Sequence, residues 1–496
     1  MRPTPIDDLR DMDGNGGGDR PHAVVFPFPS LGHIIPMMHL SCRLEALGFL
    51  ITFVNTEHNH LRILHAWRAR RIPLPQEHEV HINMVGLPDA NMPSLETINV
   101  FEAIMSTDRL RGAFERLIGK LVESQGCPPV CIIADGFLSW TQDIAQDFSL
   151  QWAVFWASST ATSLISTHIP DLMERGLAPL KAENEHSYIS FIDGMPTISS
   201  SDLPTSIARQ DRYDPGFRHR IERIQRVKRA DWIFANTFMA LEHNELRAMQ
   251  GRVQNKLLPV GPVLSLGFLE ISDGTADIEI TIDDSVEDDR CIDWLDRQGA
   301  LSVVYVSFGS IAHLSGRQLE QVAQGLKACS YPFLWVIRNE LVQTMSADVR
   351  NAFTEKVRGR SLVIPSAPAR VLKHPSLGAF VTHCGWNSTL EGISVGLPML
   401  CWPCFADQML NCRYIVKEWR IGIEFAKAAT GLVDKSEVER VVRAVLEGDQ
   451  GRQIRRRIRS LRDAARTALM AGGLSRKSLE EFAEAMKSEM RSSFFF

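Results

Sequence analysis

Polar and ionisable side chains crowd one short segment of the chain, THCGWNSTLEG at 382–392. An apolar run precedes it, breaks at Cys384-Gly385 and is followed by residues with helical spacing. A strand, turn and helix in this order direct backbone N–H groups toward an anion such as phosphate. The side chains of His383, Asn387 and Ser388 would add hydrogen-bonding groups at the start of that helix. The segment therefore predicts a site for the phosphates of a nucleotide.

A second polar pair, Asp407 and Gln408, follows this segment. A carboxylate only accepts hydrogen bonds, whereas an amide both donates and accepts them. Such a pair suits a ligand with many hydroxyl groups. Together with the phosphate site it favours a sugar nucleotide.

Two ionisable residues of the first half each follow an apolar run. His33 lies in a predicted loop, FPSLGH, and Asp135 ends the run VCIIA. A carboxylate at a buried strand end needs a partner, and an imidazole held by it could take a proton from an acceptor hydroxyl. Two simpler interpretations stay open: a surface histidine without chemistry, and an aspartate that caps a helix.

The pattern around these residues predicts two α/β domains. A strand from Ala23 to Pro27, a helix opened by Pro36 and a strand from Leu50 to Val54 form a βαβ unit with a right-handed crossover. The acidic stretch 264–290 interrupts the alternation, which begins again at 302–308. Two facing Rossmann-like domains would bring the carboxyl ends of both sheets to one cleft, where such folds bind ligands.

Composition excludes several classes of protein. A chain of 496 residues with 45% hydrophobic and 23% charged residues is typical of a globular protein with two cores. A net charge of −5 gives no reason to expect nucleic acid or an anionic membrane as partner. No apolar run reaches the roughly 20 residues that span a bilayer. No GxGxxG follows a strand, which disfavours a dinucleotide-dependent oxidoreductase.

The cysteines and the amino terminus predict a cytoplasmic protein. Nine scattered cysteines suit a reducing compartment. Cys401 and Cys404 form a CxxC without a second pair, so we expect buried apolar side chains and no metal site. The first twenty residues are polar and glycine-rich, which predicts a disordered leader and no secretory signal.

After about residue 20 nearly the whole chain resembles the plant-type family 1 UDP-glycosyltransferases. The supporting stretches are FPFPSLGHIIPMMHL at 26–40, IIADGF at 132–137, ANTFMALE at 235–242, LPVGPV at 258–263, VVYVSFGS at 303–310 and, most specifically, the donor-binding signature box at about 365–408. The resemblance implies the two-domain GT-B fold, a UDP-sugar as co-substrate, no other cofactor, no metal, and a small hydrophobic acceptor with a hydroxyl group.

The resemblance also implies a role for each site residue. His33 is the general base and Asp135 supports it. The donor-binding residues are Ser310, His383, Asn387 and Ser388 at the phosphates, Trp386 at the sugar through its backbone and ring, Glu391 at the ribose, and Asp407 and Gln408 at the hydroxyls of the transferred sugar. Gln408 in place of a histidine favours glucose over galactose. Ser388 and Glu391 also spell a capping box, S-x-x-E, which would need no ligand.

One part of the signature box departs from the family. The family's box opens WAPQ, with the Trp stacked on uracil and the Gln on the ribose, whereas residues 364–370 here read IPSAPAR. Neither Pro365 nor Ser366, the two possible matches to the Trp, supplies an aromatic plane. Base stacking is worth roughly 1–3 kcal/mol, so donor binding is expected to weaken. Arg370 could substitute by stacking its guanidinium on the base.

The predicted organisation has five segments. They are a leader at 1–20, an acceptor-binding domain at 21–263, an acidic linker at 264–290, a UDP-sugar-binding domain at 291–472, and a carboxy-terminal helix at 473–496 that packs back on the first domain. Loops at 84–100 and 185–220 are expected to form the acceptor pocket. The predicted activity is inverting, metal-independent transfer of a sugar, with glucose favoured, to a phenolic, terpenoid or similar hydroxyl. The alternative is a catalytically impaired paralogue that binds a small molecule or a partner.

Overall fold

A computed structural model of the protein describes residues 20–69, 82–88, 100–124, 127–181, 184, 186–208, 215–271, 290–309, 314–346, 360–428 and 431–493. Several predicted features lie outside these residues. They are the leader up to residue 19, most of the acidic linker at 272–289, Ser310, and residues 89–99, 185 and 209–214 of the predicted acceptor loops.

The first half forms a parallel sheet with the strand order β3-β2-β1-β4-β5-β8-β9, and β6 and β7 make a separate antiparallel pair. The strands are β1 His22–Phe26, β2 Leu50–Thr56, β3 Ile82–Leu87, β4 Pro129–Asp135, β5 Gln151–Trp156, β6 Tyr188–Ile189, β7 Ile198–Ser199, β8 Trp232–Ala235 and β9 Lys256–Pro259.

Helices connect these strands and cover both faces of the sheet. They are α1 Leu31–Ala46, α2 Glu57–Ala69, α3 Val100–Ser106, α4 Arg111–Glu123, α5 Thr141–Asp147, α6 Thr160–Thr167, α7 Ile169–Glu174, α8 Thr205–Ala208, α9 Pro215–Val227 and α10 His243–Gln250, with 3₁₀ turns at Thr107–Leu110 and Ser200–Asp202.

The second half forms a parallel sheet with the strand order β12-β11-β10-β13-β14-β15. Its strands are β10 Val303–Ser307, β11 Phe333–Val336, β12 Ser361–Ile364, β13 Leu377–Thr382, β14 Met399–Cys401 and β15 Gly422–Glu424. Its helices are α11 Arg290–Leu295, α12 Gly316–Ala328, α13 Asn339–Gln343, α14 Trp386–Val395, α15 Gln408–Arg413, α16 Lys435–Leu446, α17 Asp449–Leu469 and α18 Leu474–Ser493, with a 3₁₀ turn at Ala369–Lys373 and a π-helical turn at Tyr414–Glu418.

Apolar runs explain why these segments become central strands. Every residue of β1 and of β13 is buried, as parallel strands covered by helices on both faces must be. Two parallel α/β domains confirm the predicted fold class. The strand order reverses direction between β1 and β4 in the first sheet and between β10 and β13 in the second. Ligands of doubly wound sheets bind at such switch points.

The first helix corrects a prediction. It begins at Leu31 rather than at Pro36, so His33 lies in its first turn and not in a loop. Pro36 is buried inside the helix, where a proline usually disrupts the hydrogen bonding. It lacks the N–H that would bond to the carbonyl four residues earlier, that of Gly32. The sequence predicted a helix start at Pro36 because proline is most common at the first position of a helix.

The last helix, α18, packs against the first sheet. Phe482 is fully buried, stacked on Phe49 with ring centroids 5.9 Å apart and edge-on to Phe234 at 4.8 Å. The Ser475 hydroxyl donates to the Gly261 carbonyl at 2.7 Å. The helix therefore ties the end of the chain to the first domain. No helix within the described ranges is both long and apolar enough to cross a membrane.

Candidate active site

A histidine and an aspartate meet at the switch point of the first sheet. His33 follows β1 and Asp135 ends the neighbouring strand β4. The Nδ1 atom of His33 lies 2.6 Å from Oδ2 of Asp135, and Oδ1 accepts a hydrogen bond from the backbone N–H of Phe137 at 2.8 Å. Because an ionised carboxylate only accepts, Nδ1 carries the proton and Nε2 is left as the basic nitrogen.

Burial separates the roles of these two side chains. The Asp135 side chain is 2% exposed and that of His33 is 21% exposed. The rings of Phe28 and Phe137 lie 5.2 Å and 5.1 Å from the imidazole centroid, so aromatic walls restrict its rotation. The sequence did not assign a role to these rings, although both lie within the family-like stretches 26–40 and 132–137. The imidazole is thus held by a buried carboxylate and presents Nε2 toward the cleft.

The second histidine of the site, His383, follows β13 at the switch point of the other sheet. Burial lowers the pKa of His383 to about 4, so its imidazole is neutral at physiological pH. Its Nδ1 atom is buried and has no hydrogen-bond partner among the described residues. A Cβ atom on Gly309, which has φ +72°, would lie 2.8 Å from Cε1 of this ring. The glycine therefore leaves room for the ring beside the turn that leads to Ser310.

Helix α14 begins at Trp386, at the place where the sequence predicts an anion-binding helix start. Its N-cap is Gly385, which supplies no side-chain cap. Ser388 lies inside the helix rather than at its N-cap, so the capping-box interpretation is wrong. The Ser388 hydroxyl instead interacts with Glu391, and burial raises the pKa of Glu391 to about 7. The unpaired N–H groups of the first turn remain available to a negative group.

The indole of Trp386 does not line the cleft. It is 4% exposed, its Nε1 donates to the Asn236 carbonyl at 2.8 Å, and its ring lies 6.3 Å from that of Trp419. The side chain thus joins the two domains, and only the backbone of Trp386 is left for the predicted contact with the sugar.

Asn387 connects the donor side to the helix that carries His33. Its Nδ2 atom donates to the Gly32 carbonyl at 2.7 Å. That carbonyl has no i→i−4 partner in α1 because Pro36 has no N–H. The proline therefore leaves an acceptor that the other domain uses, one residue away from His33.

Asp407 and Gln408 lie at the start of α15, and Asp407 is near enough to His33 for the two to interact electrostatically. Burial raises the pKa of Asp407, while Asn411 and the charge of His33 act in the opposite direction. The Oε1 atom of Gln408 accepts from the backbone N–H groups of Cys404 and Phe405 at 2.9 Å and 3.0 Å. This occupies the carbonyl end of the amide, so its NH₂ group is the end left for a sugar.

Asn411 organises the donor side and was not predicted. Its Nδ2 atom donates to the Cys384 carbonyl at 3.0 Å and to Asp407 Oδ2 at 3.1 Å, and its Oδ1 accepts from the Ser159 hydroxyl of the first domain at 3.2 Å. Its position four residues after Asp407 could have indicated this contact, because residues four apart lie on the same face of a helix.

The segment that departs from the family has no aromatic ring. Pro365 is exposed, Ser366 and Ala367 are half-buried, and Pro368 precedes the 3₁₀ turn at Ala369–Lys373. Arg370 is exposed at the start of that turn. The segment that would stack on the base is therefore built from small side chains.

The cysteines near the donor turn are arranged differently from the CxxC expectation. The sulfur of Cys401 lies within 4.8 Å of those of Cys384 and Cys412, and all three side chains are buried. Cys404 is half-buried and takes no part in this cluster. Burial, followed by the other two thiols, raises the pKa of Cys401 well above its usual range. At Cys384 burial is outweighed by the hydrogen bonds with Cys401 and Cys412, which lower the pKa of this thiol to about 6. The cluster is therefore a set of three buried thiols that interact with one another beneath the turn.

Comparisons with known proteins show what this chain is similar to. A family model described as UDP-glucoronosyl and UDP-glucosyl transferase matches residues 275–461. UDP-glycosyltransferase 85A1 of Arabidopsis thaliana is 37% identical over 446 residues, which cover 88% of this chain and 90% of the relative. The (R)-mandelonitrile beta-glucosyltransferase of Prunus dulcis is 35% identical over 475 residues, 93% of this chain and 96% of the relative.

A solved structure shows the same architecture. Phytolacca americana UGT2, complexed with UDP-2fluoro-glucose and pterostilbene, superposes with a TM-score of 0.77 at 28% identity. The match covers 94% of this chain and 99% of that chain.

Proposed function

Because this chain belongs to the plant family 1 UDP-glycosyltransferases, we propose that it transfers glucose from UDP-glucose to a hydroxyl of a small lipophilic acceptor, with His33 as general base. Glucose as the sugar is supported by the relative named as a glucosyltransferase and by the UDP-2fluoro-glucose complex of the similar structure. The pterostilbene in that complex supports a small phenolic acceptor.

The observation that carries the proposal is the 2.6 Å contact between His33 and Asp135. Nε2 of His33 removes the proton from the acceptor hydroxyl as the oxygen attacks the anomeric carbon. The imidazolium that forms is stabilised by the Asp135 carboxylate, which also keeps the ring in the correct tautomer. Attack from the face opposite the leaving group inverts the anomeric carbon, and the products are a glycoside and UDP.

The leaving group is stabilised on the other side of the cleft. Negative charge develops on the diphosphate as the glycosidic bond breaks. The N–H groups of the first turn of α14 and the neutral imidazole of His383 offer donors to that charge, and the Ser388 hydroxyl joins them by rotating away from Glu391. These groups act without proton transfer, and the mechanism assigns no step to a metal ion. Ser310 keeps its proposed contact with the phosphates.

Replacement of His33 tests the proposal. His33→Ala is expected to abolish glucosyl transfer, measured by mass detection of products from a library of hydroxylated acceptors, and to leave UDP binding by calorimetry nearly unchanged. His33→Gln, which preserves most of the volume, serves as a control for packing around Phe28 and Phe137. Retained turnover in both variants would overturn the assignment of the base.

A second candidate function is motivated by the segment 364–370. Without an aromatic side chain there, a catalytically impaired paralogue would still bind a small molecule through the first domain. Calorimetry of the wild type with UDP-glucose separates the two candidates. Saturable binding supports the transferase, whereas no binding at millimolar donor favours the impaired paralogue.

A further inference from the structure

One arginine beside the His33–Asp135 pair is buried and forms no ion pair with any described residue. Arg223 lies on α9 and is 5% exposed. Its Nε atom is sealed from solvent and has no hydrogen-bond partner. Its two Nη atoms are not sealed from solvent. Within the described part of the chain they form neither a hydrogen bond nor an ion pair. Four N–H groups of a cation are therefore without a hydrogen-bond partner among the described residues.

The position of Arg223 connects it to the base. Its Cζ atom lies 4.5 Å from the ring centroid of Phe137, and that ring lies 5.1 Å from the imidazole of His33. Phe137 thus contacts both the guanidinium and the imidazole, and these two groups lie no farther apart than the sum of the two distances. A small molecule that reaches His33 along Phe137 comes within reach of Arg223.

The charges around Arg223 do not neutralise it. Burial, and then the charge of Arg220, lower the pKa of Arg223 to about 9, and Asp135 acts in the opposite direction. Both oxygens of Asp135 are already engaged, by His33 and by the N–H of Phe137. Arg220 has no carboxylate partner among the described residues either. Its Nη1 donates to the Ser206 hydroxyl at 2.6 Å.

Arg226, one turn later on the same helix, differs from Arg223 because it is paired with a carboxylate. Its Nη1 lies 2.6 Å from Oδ1 of Asp143, which also pairs with Arg111 at 3.0 Å. A buried cation that lacks such a pair is costly in free energy. A ligand anion would offset that cost at Arg223, whereas Arg226 needs none.

We propose that Arg223, supported by Arg220, forms an anion-binding subsite of the acceptor pocket, and that this transferase prefers hydroxy acids as acceptors. The acceptor carboxylate binds the Nη atoms of Arg223 while its hydroxyl reaches Nε2 of His33. A planar guanidinium binds a carboxylate through two parallel hydrogen bonds. An aromatic acid with hydroxyl and carboxylate at opposite ends supplies one group to each of these two side chains. This inference rests on the proposed function, because it uses His33 as the base.

The test compares an acid with its neutral ester. Initial rates with UDP-glucose are measured for 4-hydroxycinnamic acid and for its methyl ester, with the wild type, Arg223→Gln, Arg223→Lys and Arg226→Gln. We expect the wild type to favour the acid, and Arg223→Gln to lower the acid-to-ester ratio of kcat/KM about 10- to 100-fold, mainly through KM. Arg223→Lys should restore part of the ratio. Arg226→Gln should leave the ratio unchanged.

Several outcomes would overturn the subsite. They are a wild type that does not favour the acid, an Arg223→Gln variant that loses acid and ester alike, and an Arg226→Gln variant that shifts the ratio as much. Calorimetric binding of acid and ester to the wild type decides the matter if Arg223→Gln fails to fold, since a subsite requires tighter binding of the acid. This binding needs no turnover. If the acid binds but neither compound is glucosylated, the proposed function fails while the subsite stands.

Discussion

The two switch points of this molecule differ in how completely their polar groups are satisfied. At the first, the Asp135 carboxylate has partners for both oxygens and holds the Nδ1 atom of His33. At the second, His383 has a buried nitrogen without a partner, and the first turn of α14 has no side-chain cap. The proposed base is therefore held in place by the fold, whereas the proposed donor site keeps hydrogen-bonding groups that a substrate can use. Catalytic groups accelerate a reaction more when they are held in place before the substrate binds, whereas binding groups must keep their hydrogen-bonding capacity for the ligand.

The largest expected effect comes from breaking the satisfied side. Asp135→Asn keeps the shape but removes the carboxylate that orients the Nδ1–H of His33. By analogy with hydrolase triads, kcat is expected to fall about a thousand- to ten-thousandfold. UDP affinity, measured by calorimetry, should stay within about twofold, which is less than 0.5 kcal/mol. A variant that loses UDP binding to the same extent would show that the two switch points are not separate.

The second-largest effect is expected from adding the aromatic ring that the segment 364–370 lacks. Ser366→Trp places an aromatic ring at one of the two positions that match the family's missing Trp. If the ring stacks on uracil, UDP affinity should rise about 10- to 100-fold, as measured by calorimetry. Pro365→Trp is the matched variant for the other alignment, and only one of the two should gain. If neither gains, this segment does not contact the base.

The third effect concerns the pH dependence of donor binding. Burial raises the pKa of Glu391 to about 7, so the carboxyl ionises as pH rises through neutrality. Since an ionised carboxylate is the stronger acceptor for ribose hydroxyls, UDP affinity should rise about tenfold between about pH 6 and pH 8. Glu391→Gln should flatten this profile. An unchanged profile in that variant would remove Glu391 from the ribose site.

The same ionisation has a cost for the ligand-free protein. A raised carboxyl pKa means that the folded state binds the proton more tightly than the unfolded chain, so this contribution to stability is lost as pH rises toward and through about 7. Urea unfolding of the wild type and Glu391→Gln across that range measures it. A stability that rises with pH in the wild type relative to the variant would contradict the sign.

The smallest effect tests the connection between the two sides. Pro36→Ala restores an N–H that competes with Asn387 for the Gly32 carbonyl. A double-mutant cycle of Pro36→Ala with Asn387→Ala is expected to show a coupling of about 1 kcal/mol in kcat/KM. Pro204→Ala, in the first domain and outside α1, serves as a control that should not couple with Asn387→Ala. Additive effects of Pro36→Ala and Asn387→Ala would mean that the proline does not act through this hydrogen bond.

The chain itself carried enough local information for the fold class and for most of the chemistry. Apolar runs such as those of β1 and β13 mark central parallel strands wherever they occur, because both faces must be buried. The residue types at His33, Asp135 and His383 limit what each can do as base, carboxylate or neutral donor. These properties depend on the side chain and its immediate neighbours, and for that reason the sequence determined them.

Contacts between distant segments were decided only by the tertiary structure. The indole of Trp386 turned into the domain interface, Asn411 bridged three segments, and Pro36 lay inside a helix that exposes the Gly32 carbonyl to Asn387. Likewise, only the tertiary structure shows that Arg223 forms no ion pair with any described residue. Whether a polar group is satisfied depends on which strands and helices the crossovers bring together, and no local pattern records that.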